Sequence, residues 1–313
     1  MQEMKYVYGP VPSRRLGLSL GISPIPPKYC NYSCIYCQLG RTNHMTNTRQ
    51  MFFPLEDILK EFDQTCGKGV SFDVVTIVGE GEPTLYKGLG ELIRQVKQRT
   101  EKPVAVITNG ALLYDKEVRK ELGEADIVLP TLDAYDEASL KQINRPHGTI
   151  SFEKVLQGLK EFAAEYSGQL WIELMLIQGV NADEASLEKY KALLEQIPYE
   201  RLYINTPVRP PAEASVKAIS PEEMERAIAV LGGSSIEFLE SAGFHSEEKD
   251  DYAAIMALIR RHPMNQFEIE GFLESRACSD RKAIFSRLEQ DPGVEKIEYK
   301  GYITFRRSAA ISG

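Results

Sequence analysis

Six times between residues 16 and 231, a strand-length apolar run is followed by a segment of helical period, and that alternation leaves few folds open. The runs are Leu16–Ile22, Asp73–Val78, Val104–Thr108, Asp126–Leu129, Leu170–Ile177 and Arg201–Asn205. Those at 74–78 and 104–107 are continuously apolar and largely β-branched, as suits parallel strands covered on both faces. Helices are expected near Pro54–Cys66, Leu89–Arg99, Asp115–Leu122, Phe152–Tyr166, Asp183–Gln196 and Pro221–Leu231. Pro54 and Pro221 suit a first turn, with acidic residues following each. The expected fold is α/β, a partial parallel (β/α)6 barrel over residues 1–245.

The alternation stops near residue 240. Ser241–Asp250 is polar and reads as a linker. Beyond it, three short helices are expected at Tyr252–Arg261, Asn265–Glu274 and Ser279–Gln290. Two strands follow at Val294–Tyr299 and Tyr302–Arg306, joined at Lys300-Gly301. Three helices and a hairpin resemble a winged helix-turn-helix, so residues 250–313 are expected to form a small C-terminal domain of that kind. Residues 251–313 carry ten Lys/Arg against nine Asp/Glu, so this part is near neutral. Its third helix offers only Arg281, Lys282 and Arg287, opposed by Asp280 and Glu289. Duplex DNA is not the expected partner, and a docking or packing role is at least as well supported.

The whole chain, 313 residues with a net charge of -8, has no general attraction for nucleic acid or anionic lipid. No uncharged apolar run reaches the roughly 18 residues of a membrane span. The N-terminus lacks the basic flank and apolar core of a signal peptide. A cytoplasmic protein without a membrane partner is expected.

Three of the five cysteines cluster as Cys30-x3-Cys34-x2-Cys37, just after the first strand, while Cys66 and Cys278 stand alone. An odd number with one tight cluster points to metal rather than to disulfides. Three thiolates on one loop leave one metal position open, as catalytic centres do. A [4Fe–4S] cube held this way exposes one iron. The alternative is a zinc site completed by a fourth ligand such as His44.

The motif, with aromatic Tyr36 before its last cysteine, resembles that of the radical S-adenosylmethionine (SAM) superfamily. The resemblance implies that Cys30, Cys34 and Cys37 bind a [4Fe–4S] cluster and that SAM chelates its fourth iron. Reductive cleavage of SAM would then give a 5′-deoxyadenosyl radical that abstracts a substrate hydrogen. Barrel enzymes carry functional residues just after their strands, and four strand ends here fit that rule. Gly79-Glu80-Gly81-Glu82-Pro83 is similar to the GGEP motif of the superfamily, with Gly81, Glu82 and Pro83 matching and Glu80 standing where glycine is usual. Thr108-Asn109-Gly110 is similar to a segment near SAM in some members, which implies a cofactor role for Asn109. Thr131-Leu132-Asp133 lies where members place ribose-contacting residues, which implicates Asp133. In Asn144-Arg145-Pro146-His147, Arg145 suits either a cofactor or substrate anion, or a surface ion pair. His147, beside a proline, is read as a loop residue, and no catalytic acid or base is nominated.

Two proline-stiffened segments, Gly9–Gly17 and Asn205–Pro211, carry Arg14, Arg15 and Arg209, which could face the barrel mouth. Together with the cysteine loop they resemble a subgroup related to the tRNA wyosine-synthesis enzymes. This chain lacks the further cysteines of a second cluster and a flavodoxin-like domain. The electron is therefore expected from a separate ferredoxin- or flavodoxin-type donor. The expected substrate is a macromolecule, tRNA or protein, with a small metabolite or a non-enzymatic DNA-binding regulator as the alternatives.

Overall fold

The computed structural model describes residues 5–236, 244, 246, 248–299 and 301–308. The chain opens with β1 (Val7–Ser13), β2 (Gly17–Ile22), β3 (Tyr29–Cys30) and β4 (His44–Met45). Alternation follows: α1 (Leu55–Cys66), β5 (Val74–Ile77), α2 (Leu89–Lys97), β6 (Val104–Thr108), α3 (Lys116–Leu122) and β7 (Ile127–Pro130). Two helices, α4 (Glu137–Ile143) and α5 (Phe152–Glu165), precede β8 (Gln169–Met175). Then come α6 (Glu184–Leu194), β9 (Arg201–Asn205), α7 (Pro221–Leu231) and β10 (Ser234–Ser235). The last part holds α8 (Asp251–Ile259), β11 (Met264–Asn265), α9 (Gln266–Ser275), α10 (Arg281–Gln290), β12 (Val294–Tyr299) and β13 (Tyr302–Arg307).

Eight strands form one sheet in the order β1-β2-β5-β6-β7-β8-β9-β10. β1 runs antiparallel to β2, and every later neighbour is parallel. Parallel neighbours need a crossover, which the helices supply. β1 and β10 occupy opposite margins, so the sheet is open, as in a partial barrel. The strands are apolar throughout because both faces are covered. Val75, Ile77, Val104, Val106, Val128, Ile172 and Ile204 share a core with Phe62, Leu92, Phe162 and Tyr190 of the helices. The intervening residues Val74, Ala105, Ile127, Leu129, Trp171 and Tyr203 pack against one another on the other face.

Strand β1 was not anticipated: residues 7–13 pair with β2 through a bulge between Tyr8 and Val11. Two prolines are tolerated there because the strand is the sheet margin. Helix α4 was also not anticipated. It is only seven residues long and is set by a capping box in which Asp136 and Ser139 bond reciprocally.

Of the expected linker, residues 241–243, 245 and 247 lie outside the described residues. Beyond it, β11, β13 and β12 form a three-stranded antiparallel sheet in that order. Its core of Ile255, Ile259, Ile269, Phe272, Leu288 and Phe305 includes Val11 of β1. The C-terminal elements are therefore built onto the margin of the large sheet.

Helix α5 lies so close to the loop after β6 that a Cβ on Gly158 would stand 2.2 Å from the Tyr114 nitrogen and 2.4 Å from the Leu113 carbonyl carbon. Both obstacles are backbone and cannot turn away. Gly158→Ala should therefore destabilise the protein by about 1–3 kcal/mol, although alanine favours helix. A lower urea midpoint at unchanged slope would show it.

Candidate active site

The cysteine loop leaves β2 and is fastened on two sides. On one, Ser33 N donates to the Asn144 carbonyl (2.9 Å), Ile35 N to that of Ile143 (2.9 Å), and His147 N to that of Asn31 (2.8 Å). On the other, Glu82 N donates to the Tyr29 carbonyl (3.0 Å). That approach explains Gly81, since a Cβ there would fall 1.8 Å from the same Tyr29 oxygen. Cys30, Cys34 and Cys37 are free thiols, held half-buried on this loop.

Two carboxamides reach the sulfurs. Asn144 Nδ2 donates to Cys34 Sγ (3.4 Å) and to Asp133 Oδ2 (2.9 Å). Asn109 Nδ2 approaches Cys30 Sγ (3.7 Å) and donates to Asn31 Oδ1 (2.7 Å). Burial pushes the Cys30 thiol up to about 12 and the Cys34 and Cys37 thiols upward as well; at Cys37 the Leu39 amide, Lys28 and Arg306 oppose it. The metal-free thiols are thus neutral, and metal binding must displace their protons.

Asp133, just after β7, is buried. Besides Asn144 it accepts from the Tyr36 hydroxyl and, at 3.0 Å, from Met175 N. Burial raises its carboxyl to about 6 despite these donors. Glu82 is also buried and accepts from Thr84 N (3.0 Å), Thr84 Oγ1 (2.6 Å), Thr108 Oγ1 (2.6 Å) and Asn109 N (2.8 Å). Its carboxylate thus joins the loops after β5 and β6. Pro83 opens a buried 3-10 turn over Pro83–Leu85. Arg145 pairs with Glu213 at 2.6 Å, the ion-pair reading of that residue, and Glu213 also holds Arg41 at 2.9 Å.

The donor set fits a multi-iron cluster better than one ion. Among the described residues no three His, Cys, Asp or Glu side chains converge as a single metal requires. His44 instead stacks on Tyr29, with ring centroids 4.3 Å apart. A cube offers each thiolate its own iron, and amide donors at cluster sulfurs are a recognised way to tune its potential.

The three arginines have separate fates. Arg15 pairs with Glu173 of β8, which also accepts from Asn205 (3.2 Å). Arg209 pairs with Glu268 of α9 at 3.1 Å, and Arg14 is exposed. Sequence reasoning missed Asn144, Glu173 and Glu213. Asn144 stood beside the nominated Arg145, but nothing in the pattern showed that it reaches Cys34.

Residues 25–189 match the Radical SAM superfamily. The chain belongs to that superfamily. It is 33% identical over 314 residues to a UPF0026 protein of Methanocaldococcus jannaschii, covering 97% of each. It is 40% identical over 223 residues to the GTPase Obg of Brachyspira hyodysenteriae, spanning 71% of this chain but 33% of that protein. A radical SAM methyltransferase from Sphaerobacter thermophilus shares the fold, with a TM-score of 0.52 and 16% identity over 69% of this chain and 65% of that one. This radical SAM protein is accordingly an enzyme whose cofactors are a [4Fe–4S] cluster and SAM, and it needs an electron donor. Among the described residues no helix is long and apolar enough to cross a membrane.

Replacing Cys30, Cys34 or Cys37 by alanine should abolish stable cluster binding, seen as lost iron and lost SAM cleavage. Cys66→Ala and Cys278→Ala should keep full iron, because these side chains pack against apolar cores. Asp133 supplies a pH test on metal-free protein. Its folded-state proton is held more tightly than in the unfolded chain, so its contribution to stability is fully present below about pH 4 and is lost as pH rises through 6. Relative to Asp133→Asn, the wild type should lose roughly 2–3 kcal/mol across that window in urea titrations.

Proposed function

We propose that this radical SAM enzyme modifies a macromolecule, a tRNA or a protein, at a site shared by a barrel domain (1–245) and a winged-helix-like domain (250–313). The observation that carries this reading is the position of the C-terminal elements. Glu80, in the loop after β5, faces Arg260 and Arg261 at 3.5 Å each, and Arg306 donates to the Pro210 carbonyl at 3.2 Å. Tyr299 donates to the Pro207 carbonyl at 2.7 Å. On this reading the C-terminal part walls one side of the entrance beside the cysteine loop, where a large substrate would dock.

In this reading Cys30, Cys34 and Cys37 hold the cluster, and bound cluster and SAM supply one-electron cleavage to a carbon radical. The Gly81-Glu82-Pro83 loop brings its backbone to the SAM side, with Asn109 and Tyr36 adjoining it. Asp133 acts through Tyr36 and Asn144 as a positioning residue. Arg145 serves an anion only by leaving Glu213. The electron arrives from a separate ferredoxin- or flavodoxin-type donor, and the protein works in the cytoplasm. The DNA-regulator alternative is weakened within α10: Arg281 turns to Glu270 (3.7 Å), and Arg287 lies over the Tyr252 ring (3.7 Å).

The test is anaerobic 5′-deoxyadenosine formation by cluster-loaded protein with SAM and a strong reductant, in the presence of fractionated cell extract. One macromolecular fraction should raise turnover about tenfold, and nuclease or protease treatment of that fraction should remove the gain. Stimulation by the low-molecular-weight filtrate alone would overturn the macromolecular reading.

A further inference from the structure

On its Cys37 side, the cysteine loop borders a narrow cleft against the C-terminal elements, lined among others by Lys28, Glu80, Arg260, Arg306 and Arg307. Arg260 is tied to Glu80, and Arg306 to Glu295 at 2.9 Å. Among the described residues, four lining cations, with Arg261 also on Glu80, meet two carboxylates, in a chain whose net charge is -8. Lys28 has no such tie. Its Nζ is buried without a hydrogen-bond partner, although an ammonium carries three donors. Its backbone is fixed in the left-handed region (φ 62) by Lys28 N donating to the Glu80 carbonyl at 2.6 Å and His44 N donating to the Lys28 carbonyl at 3.1 Å. Lys28, held in this unfavourable conformation with Cys37 and Glu295 as electrostatic neighbours but no hydrogen-bond partner, has donors open to a further acceptor.

We propose that this cleft is an anion subsite that takes a phosphate group of the substrate. Among the described residues the cleft's cations outnumber its carboxylates, which suits a phosphate, and arginine forks suit phosphate oxygens. The cleft's volume of about 20 Å³ admits roughly one water-sized group, so one phosphate oxygen enters while the rest of the phosphate and the substrate stay at the open mouth. The identification as a substrate subsite rests on the cysteine loop being the catalytic centre. The phosphate belongs either to a polynucleotide backbone or to a phosphorylated small molecule.

Binding is measured without turnover, by anaerobic titration calorimetry of cluster-loaded protein with inorganic phosphate, AMP and a short single-stranded RNA. Phosphate should bind, and Lys28→Met and Arg307→Gln should each weaken it about tenfold at unchanged iron content. Lys282→Gln on the exposed face of α10 should change nothing. Arg307→Gln, remote in sequence from the cysteines, keeps the test sound if Lys28→Met loses its cluster. Tighter binding of RNA than of AMP assigns the phosphate to a polynucleotide, and the reverse order to a small molecule. No phosphate binding by the wild type, or equal binding by the wild type and Arg307→Gln, overturns the subsite. Absent 5′-deoxyadenosine alongside intact phosphate binding would count against the enzymatic reading alone.

Discussion

The candidate site hangs on one buried carboxylate. Asp133 gathers the Tyr36 hydroxyl from the cysteine loop, the Asn144 amide from the segment after α4, and the Met175 amide from β8. Its own carbonyl accepts from Tyr190 of α6. A buried carboxylate is costly unless its lone pairs are met, so these donors are held where its geometry needs them. Two of the three sit on or next to the segments that hold the thiols, and Asn144 bonds Cys34 directly. Glu82 does the same on the opposite side, joining the loops after β5 and β6 next to Asn109, which faces Cys30. The cysteine loop has little regular structure of its own, and these two side chains give it a fixed position between strand ends.

Periodicity carried the barrel. The runs at 104–108 and 201–205 match their strands end to end; at 104–108 a largely β-branched run covered on both faces favours a strand. The same logic hid β1, where Gly9, Pro10 and Pro12 signal a loop although a margin strand accepts them. Motif spacing brought out the thiols and the residues around Glu82 and Asp133. It did not reveal that both carboxylates are engaged within the protein, since a side chain's partners depend on which strand ends the crossovers bring together. Asn144 shows the limit best. It becomes a neighbour of Cys34 through a separation of 110 residues that no local pattern encodes.

Glu80 is the most informative departure from the superfamily pattern. A glycine there would remove the carboxylate that faces Arg260 and Arg261 at 3.5 Å each. With glutamate, the loop after β5 carries an anion matched to a basic pair from the C-terminal elements. Arg261 is further committed by donating to the Lys5 carbonyl at 2.8 Å and lying over the Tyr8 ring at 4.8 Å. The motif's departure and the C-terminal arginines thus meet in one contact, with the buried Glu80 facing Arg261, also buried, and the partly buried Arg260.

This coupling also explains how an acidic chain keeps cations around its entrance. Charges held in partly buried pairs are poorly screened, so their field depends on local imbalance rather than on net charge. Around the cysteine loop the acidic residues are largely consumed: Glu82 by hydroxyls and amides, Glu80 by two arginines, Glu213 by Arg41 and Arg145, and Glu268 by Arg209. Among the described residues, Lys28 and Arg307 are what that pairing leaves over at the cleft. A substrate phosphate of the kind proposed would be drawn to that cleft rather than to the acidic body of the protein.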